Sequence, residues 1–215
     1  TTLLETLATL RTPASGAIRI NGRSLADVTA RERAGQIGLM PQILDAGFDQ
    51  PVVDRVALGR YRQGGLWQWR AEADRQAADD ALAAVDMAHL ASHSTTTLSG
   101  GERQRMALAM LLAQAPDVML LDEPFSALDP AHRTGVSRVL RAQRDAGRIV
   151  VFSVHDPSLA ARLADRVVLL SGRGDWEAGP TDELLTEARL SALYGTPFTR
   201  LEDGDGRAAF LPHTG

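Results

Sequence analysis

An α/β fold, with a mainly parallel sheet and flanking helices, is what the sequence predicts. Three observations predict it. Short apolar runs at Ile37–Met40, Val118–Leu121 and Ile149–Val154 alternate with longer segments of helical spacing, the order that builds parallel βαβ units. The run Val118–Leu121 delivers two carboxylates, Asp122 and Glu123, and ligands of such sheets gather at the carboxyl ends of strands. Ser99-Gly100-Gly101-Glu102 opens an amphipathic run from Met106 to Ala115, and the bare N–H groups and positive dipole end of a helix start form an anion site.

Composition bounds the answer. A length of 215 residues suits one domain with a substantial core. Hydrophobic content of 44% and charged content of 23% are those of an ordinary globular protein. The net charge of −4 provides no general attraction to nucleic acid or anionic lipid. Cysteine is absent, which excludes disulfides and thiolate metal sites and fits a reducing compartment. No apolar run approaches the ~20 residues that span a bilayer, so a membrane would be reached only through partners.

Taken in order, Leu3, Leu4, Leu7 and Leu10 have helical spacing, and the run stops at Thr12-Pro13. Ala17–Ile20 reads as a short strand followed by the turn dipeptide Asn21-Gly22. Ile37–Met40 reads as a buried strand leading to Pro41-Gln42. Val52–Arg60 and Glu72–Met87 read as helices, separated by Gly64-Gly65 and the pair Trp67/Trp69, and His89–Thr97 as a polar loop. After the break at Ala115-Pro116-Asp117 comes Val118–Leu121, and Pro130–Ala146 is a helix with proline at its start and Gly147 past its end. Ile149–Val154 is a near-continuous apolar strand of the buried, parallel kind, and His155 lies at its tip. Pro157–Ala164 is a helix and Arg166–Leu170 a strand, followed by a Gly-rich turn and Trp176. Thr181–Glu187 reads as the last regular helix, with Thr181 as N-cap. Phe198–Leu201 and Ala208–Leu211 form a hairpin around an acidic turn.

Leu98-Ser99-Gly100-Gly101-Glu102 resembles the signature motif of the ATP-binding-cassette (ABC) ATPases, and Val118–Glu123 resembles their Walker B strand. The combination, in this order, is highly specific. Gln42 is similar to the family's Q-loop glutamine, Phe125-Ser126-Ala127-Leu128-Asp129 to its D-loop, and His155 to its H-loop histidine. Thr1 resembles the last position of a P-loop, whose glycines and lysine are not among the 215 residues, and the chain is therefore read as an N-terminally truncated cassette. On this resemblance the fold is P-loop NTPase-like: one domain over 1–215, with a helical subdomain at about 45–115 inserted in a RecA-like core. The absence of long coiled-coil inserts argues against chromosome-maintenance and DNA-repair relatives.

The resemblance implies ATP and Mg²⁺ as ligands. Thr1, Gln42 and Asp122 would attend the metal, Asp122 through a water. Glu123 would polarise the attacking water, and His155 would contact the γ-phosphate. Thr1, Thr2, Gln42, Ser99, Gly100, Gly101, Glu102 and Asp129 would line the nucleotide. Two cassettes would close head-to-tail, Ser99–Gly101 of one meeting the nucleotide held by the other, with the helical subdomain docking on transmembrane permease subunits at the cytoplasmic face of the membrane. A solute-binding protein would be an indirect partner.

Val52–Tyr61, His155–Leu170 and the tail Phe198–Pro212 are similar to the importer branch for iron–siderophore, haem and cobalamin. Two departures are Pro157 after His155-Asp156, and Glu102 in place of the signature's commoner Gln. A transport ATPase for an amino acid or a drug is the first alternative, and a non-hydrolysing regulatory or interaction module with the same fold is the second. Intact Glu123 and His155 weigh against the second.

Overall fold

A computed structural model describes residues 1–42, 48–61, 71–172, 174–202, 204 and 206–213. The chain divides into two compact units, Thr1–Ser153 and Val154–Gly215.

The first unit opens with α1 (Thr2–Leu7), which buries Leu4 in an apolar cluster with Leu25, Ile37 and Leu120. The helix ends before the expected Leu10. Thr9 turns left-handed (φ 60), Thr9 N–H and Leu10 N–H bond back to Thr6 and Glu5, and Leu10 is left 69% exposed. β1 (Arg19–Ile20) and β2 (Arg23–Ser24) pair antiparallel around Asn21-Gly22, where both residues take the positive φ that a tight two-residue hairpin demands. α2 (Ala30–Gln36) starts on a reciprocal capping box between Thr29 and Glu32.

β3 (Ile37–Met40), β4 (Val118–Leu121) and β5 (Ile149–Phe152) form a parallel three-stranded sheet in that order. Met40, Leu121 and Phe152 stand in register, so the three strands end level. Central β4 buries Met119, Leu120 and Leu121 almost completely. β5 departs from the expected wholly buried run to Val154. It ends at Phe152, and Ile149 is 58% exposed because, among the described residues, β5 pairs on one edge alone.

Three helices pack together beside the sheet: α3 (Val52–Ala57, continued by a 3₁₀ turn Leu58–Arg60), α4 (Ala71–Ala84) and α5 (Gly100–Gln114). Val52, Val56, Leu82 and Met106 are fully buried there. Gly59 allows a close approach, since a Cβ on it would stand 2.4 Å from the Met110 carbonyl. The segment read as a polar loop carries two 3₁₀ turns, Ala88–Leu90 and Thr95–Thr97, and is pinned where Thr95 N–H bonds the Gln50 carbonyl. Gly64-Gly65, Trp67 and Trp69 lie outside the described residues. α6 (Pro130–Asp145) joins β4 to β5 and buries Val136 and Leu140.

In the second unit, α7 (Pro157–Leu163) precedes an antiparallel pair, β6 (Arg166–Leu170) and β7 (Trp176–Pro180). Trp176, which follows the Gly-rich turn, begins β7. α8 (Thr181–Leu184) is capped by Pro180. Thr181 does not act as the N-cap, and its hydroxyl donates instead to the Ala164 carbonyl at 2.7 Å. Nor is that helix the last. α9 (Glu187–Tyr194) follows, with Thr186 as its side-chain cap and left-handed Gly195 at its end. The tail pairs as expected, β8 (Phe198–Glu202) against β9 (Ala208–Pro212). Ala160, Leu185, Leu190, Phe198 and Phe210 form this unit's core.

Candidate functional site

The site of the first unit grows from the level strand ends. Asp122 leaves the tip of β4, and its N–H bonds the Met40 carbonyl of β3 at 2.9 Å. The residue is 3% exposed. The Thr1 hydroxyl donates to Asp122 Oδ2 at 2.5 Å, and the Thr1 backbone nitrogen lies 3.5 Å from Oδ1. From the end of β5, the Ser153 hydroxyl donates to Asp122 Oδ1 at 2.6 Å. Burial opposes ionisation of Asp122, the Ser153 and Thr1 hydroxyls favour it, and the carboxyl lies below the ordinary aspartate range. The carboxylate is therefore charged at neutral pH at the mouth of the sheet.

Glu123 follows in a left-handed backbone conformation, φ 50, that non-glycine residues rarely adopt. Side chains from two other elements, β5's end and α5, hold its peptide groups, and Ser126 adds a local bond, its hydroxyl donating to the Glu123 carbonyl at 3.1 Å. Ser153 Oγ accepts the Glu123 N–H at 2.8 Å, and Gln104 Nε2 donates to the Glu123 carbonyl at 2.6 Å. At the kink Glu123 is half-buried, next to the buried Asp122.

The helix start at α5 has Ser99 as N-cap. Ser99 Oγ accepts the Glu102 N–H at 3.3 Å, while Glu102 Oε2 receives both the Ser99 N–H and the Ser99 hydroxyl at 2.7 Å. That capping box pulls the Glu102 carboxyl below the usual glutamate range, the Ser99 hydroxyl contributing most. Ser99 and Gly100 are exposed, so the helix start is open to solvent and to another molecule. Gly101 packs against the Ala127 carbonyl, which stands 3.0 Å from where a Cβ would be.

Asp129 caps α6. It accepts the His132 N–H at 2.9 Å and pairs with His132 Nδ1 at 2.8 Å, and these contacts keep its carboxyl below the ordinary value. Thr2 is the first residue of α1 and is exposed. Gln42, two residues past β3, is also exposed. Thr1, Asp122 and Glu123 are thus brought together, with Gln42 on the loop that leaves the neighbouring strand. His155 belongs to the second unit, where its carbonyl accepts the Tyr194 hydroxyl at 2.9 Å.

Sequence reasoning missed Ser153 and Gln104. Neither residue type announces a role, and a serine after an apolar strand or a glutamine inside an Arg-rich helix turn reads as solvated. For Ser153, the signal was its register one step beyond Phe152, level with Asp122.

Comparisons with known proteins follow the same lines. The family profile for ABC transporters matches residues 1–126. The chain is 39% identical over 198 residues to the hemin import ATP-binding protein HmuV of Pseudomonas entomophila, covering 90% of this chain and 76% of that protein. It is 36% identical over 204 residues to the ferric enterobactin transport ATP-binding protein FepC of Escherichia coli, covering 94% and 75% respectively. Among solved structures, an inward-facing metal-chelate type ABC transporter superposes with a TM-score of 0.84 at 29% identity, over 99% of this chain and 81% of that one. The dimeric cassette MJ0796 bound to ADP and Pi gives 0.68 at 26% identity, over 78% and 74%.

Proposed function

This chain belongs to the ABC transporter family, and from that premise we propose that it is the ATP-hydrolysing subunit of an importer of iron chelates, haem or iron–siderophore complexes. One observation carries the hydrolytic reading: the Thr1 hydroxyl meets Asp122, with Glu123 next in the chain, where three parallel strands end level. The importer branch is supported by the relatives named for hemin and ferric enterobactin import.

Phosphoryl transfer to water depends on positioning and on neutralising charge. A hydroxyl and an ionised carboxylate, both hard oxygen donors, fit Mg²⁺, which takes one or two protein oxygens and fills its octahedron with phosphate and water. Thr1 and Asp122 would hold that ion beside the phosphates, with Gln42 at its margin, where it lowers the charge barrier to attack. Glu123 accepts the proton as water attacks, and its fixed backbone sets the direction from which the carboxylate approaches. On the resemblance to the family, His155 would contact the γ-phosphate. The open helix start at Ser99–Gly101 offers the Gly100 and Gly101 N–H groups to a second nucleotide, held on another subunit. Thr2, Glu102 and Asp129 complete the lining.

The working unit is a head-to-tail dimer at the cytoplasmic face of the membrane, docked through the helical subdomain at about 45–115 on permease subunits, with a solute-binding protein upstream. Among the described residues no helix is long and apolar enough to cross a membrane.

Reconstitution tests this reading. In liposomes with its permease, the full-length protein should raise ATP turnover when a binding protein loaded with haem or ferric siderophore is added. Turnover that ignores iron chelates and answers an amino acid overturns the importer branch.

A further inference from the structure

Gln104 is 7% exposed, and its carboxamide is occupied at both ends. Nε2 donates to the Glu123 carbonyl at 2.6 Å and to Ser126 Oγ at 3.2 Å, while Oε1 accepts the Ala127 N–H at 3.0 Å. The Ser126 hydroxyl also donates to the Glu123 carbonyl at 3.1 Å. Gln104 lies one helical turn beyond Gly100, on the helix whose start is open to solvent. The backbone it grips, Glu123–Ala127, is the segment that begins in the left-handed kink. Gly101 lies close to the same Ala127, whose carbonyl would stand 3.0 Å from a Cβ added there. Helix start and carboxylate therefore move as one piece or not at all, because a planar amide with three directional bonds cannot slide along its partners without losing them.

We propose that Gln104 is a positioning residue that ties engagement of the Ser99–Gly101 helix start to the setting of Glu123. In a head-to-tail dimer the helix start meets one nucleotide while Glu123 of the same chain serves the other. Gln104 then links the two sites within each subunit. A phosphate drawing α5 forward pulls the Glu123–Ala127 backbone with it and brings the carboxylate to its working angle. The inference rests on the roles given above to Ser99–Gly101 and Glu123.

The test uses steady-state ATP turnover by the full-length protein across a range of ATP concentrations. Gln104→Met keeps the volume and loses all three bonds. Gln104→Glu keeps the acceptor for Ala127 N–H and loses the donor to Glu123. Both variants should lower kcat about 10- to 100-fold, the scale of a small misplacement of a reacting group. KM should stay within about twofold of wild type, since ground-state binding is untouched. The Hill coefficient for ATP should fall toward one, as expected when a coupling between sites is cut. A merely structural role would leave cooperativity in place. Folded variants with wild-type kcat and Hill coefficient overturn the proposal, as does a Gln104→Glu variant that behaves as wild type. In the wild-type protein, a non-hydrolysable ATP analogue should slow amide exchange at Ala127 together with Gly100 and Gly101. Protection of the glycines without Ala127 overturns the link even if no variant folds. Absence of ATP turnover in wild type itself would count against the parent reading instead.

Discussion

Ser153 and Asp122 lie 31 positions apart in the chain, yet the serine hydroxyl donates to the aspartate Oδ1 at 2.6 Å. The same serine oxygen accepts the Glu123 N–H at 2.8 Å, so one side chain at the end of β5 serves both carboxylate residues of β4. It lowers the affinity of Asp122 for a proton and fixes the entry into the Glu123 kink.

Ser153→Ala removes both bonds and leaves the part-buried Glu123 N–H without that acceptor. Orphaning such a group costs about 1–3 kcal/mol. The variant should unfold several degrees earlier in a thermal melt and turn over ATP more slowly, whereas Ser153→Thr, which retains the hydroxyl, should recover most of both. A melt and turnover identical to wild type would remove Ser153 from the site.

Glu123→Gln keeps shape and hydrogen bonding but cannot take a proton. General-base loss is worth about 10²–10⁴-fold in turnover. ATP binding should persist, and the variant should accumulate as an ATP-bound dimer on size exclusion. Undiminished turnover would strip Glu123 of its role.

The capping box at Ser99 sets a pH dependence. The carboxyl of Glu102 is held below its ordinary value in the folded protein, so the folded state prefers it ionised. Its contribution to stability is whole above the usual glutamate value of about 4.3 and is lost as pH falls through the lowered folded value. Glu102→Gln removes that titration. The gap in melting temperature between wild type and Glu102→Gln should therefore narrow on acidification below the ordinary glutamate value, and a constant gap would refute the assignment.

Two glycines should respond with opposite signs. Gly59→Ala drives a Cβ to 2.4 Å from the Met110 carbonyl, a backbone atom that cannot swing aside. Overpacking of this kind costs about 1–3 kcal/mol. At Gly135, inside α6, an added methyl would meet nothing within 4 Å. Gly135→Ala should stabilise by about 0.5–1 kcal/mol through helix propensity. Chemical denaturation of the two variants measures both.

Sequence by itself determined the elements whose signals are local. Ser99 with Glu102 three residues on encodes a capping box, Asn21-Gly22 a tight hairpin, and the apolar runs Ile37–Met40 and Val118–Leu121 two buried strands. Their positions in the chain also carry the roles proposed for Ser99–Glu102, Asp122 and Glu123, because the phosphate and metal chemistry needs those residue types at strand and helix ends. Where two local signals competed, the reading slipped. Leu10 matched the helical period, but the left-handed turn at Thr9 ended α1. Thr181 suited an N-cap, but its hydroxyl found the Ala164 carbonyl, and α9 was missed because it buries little more than Leu190. Only tertiary structure could decide the partners of Asp122 and Glu123. Thr1, Ser153 and Gln104 come to them from sequence separations of 121, 31 and 19, and are set there by strand register and helix packing. A hydrogen bond depends on where two atoms lie in space, and no periodicity along one chain records that distance.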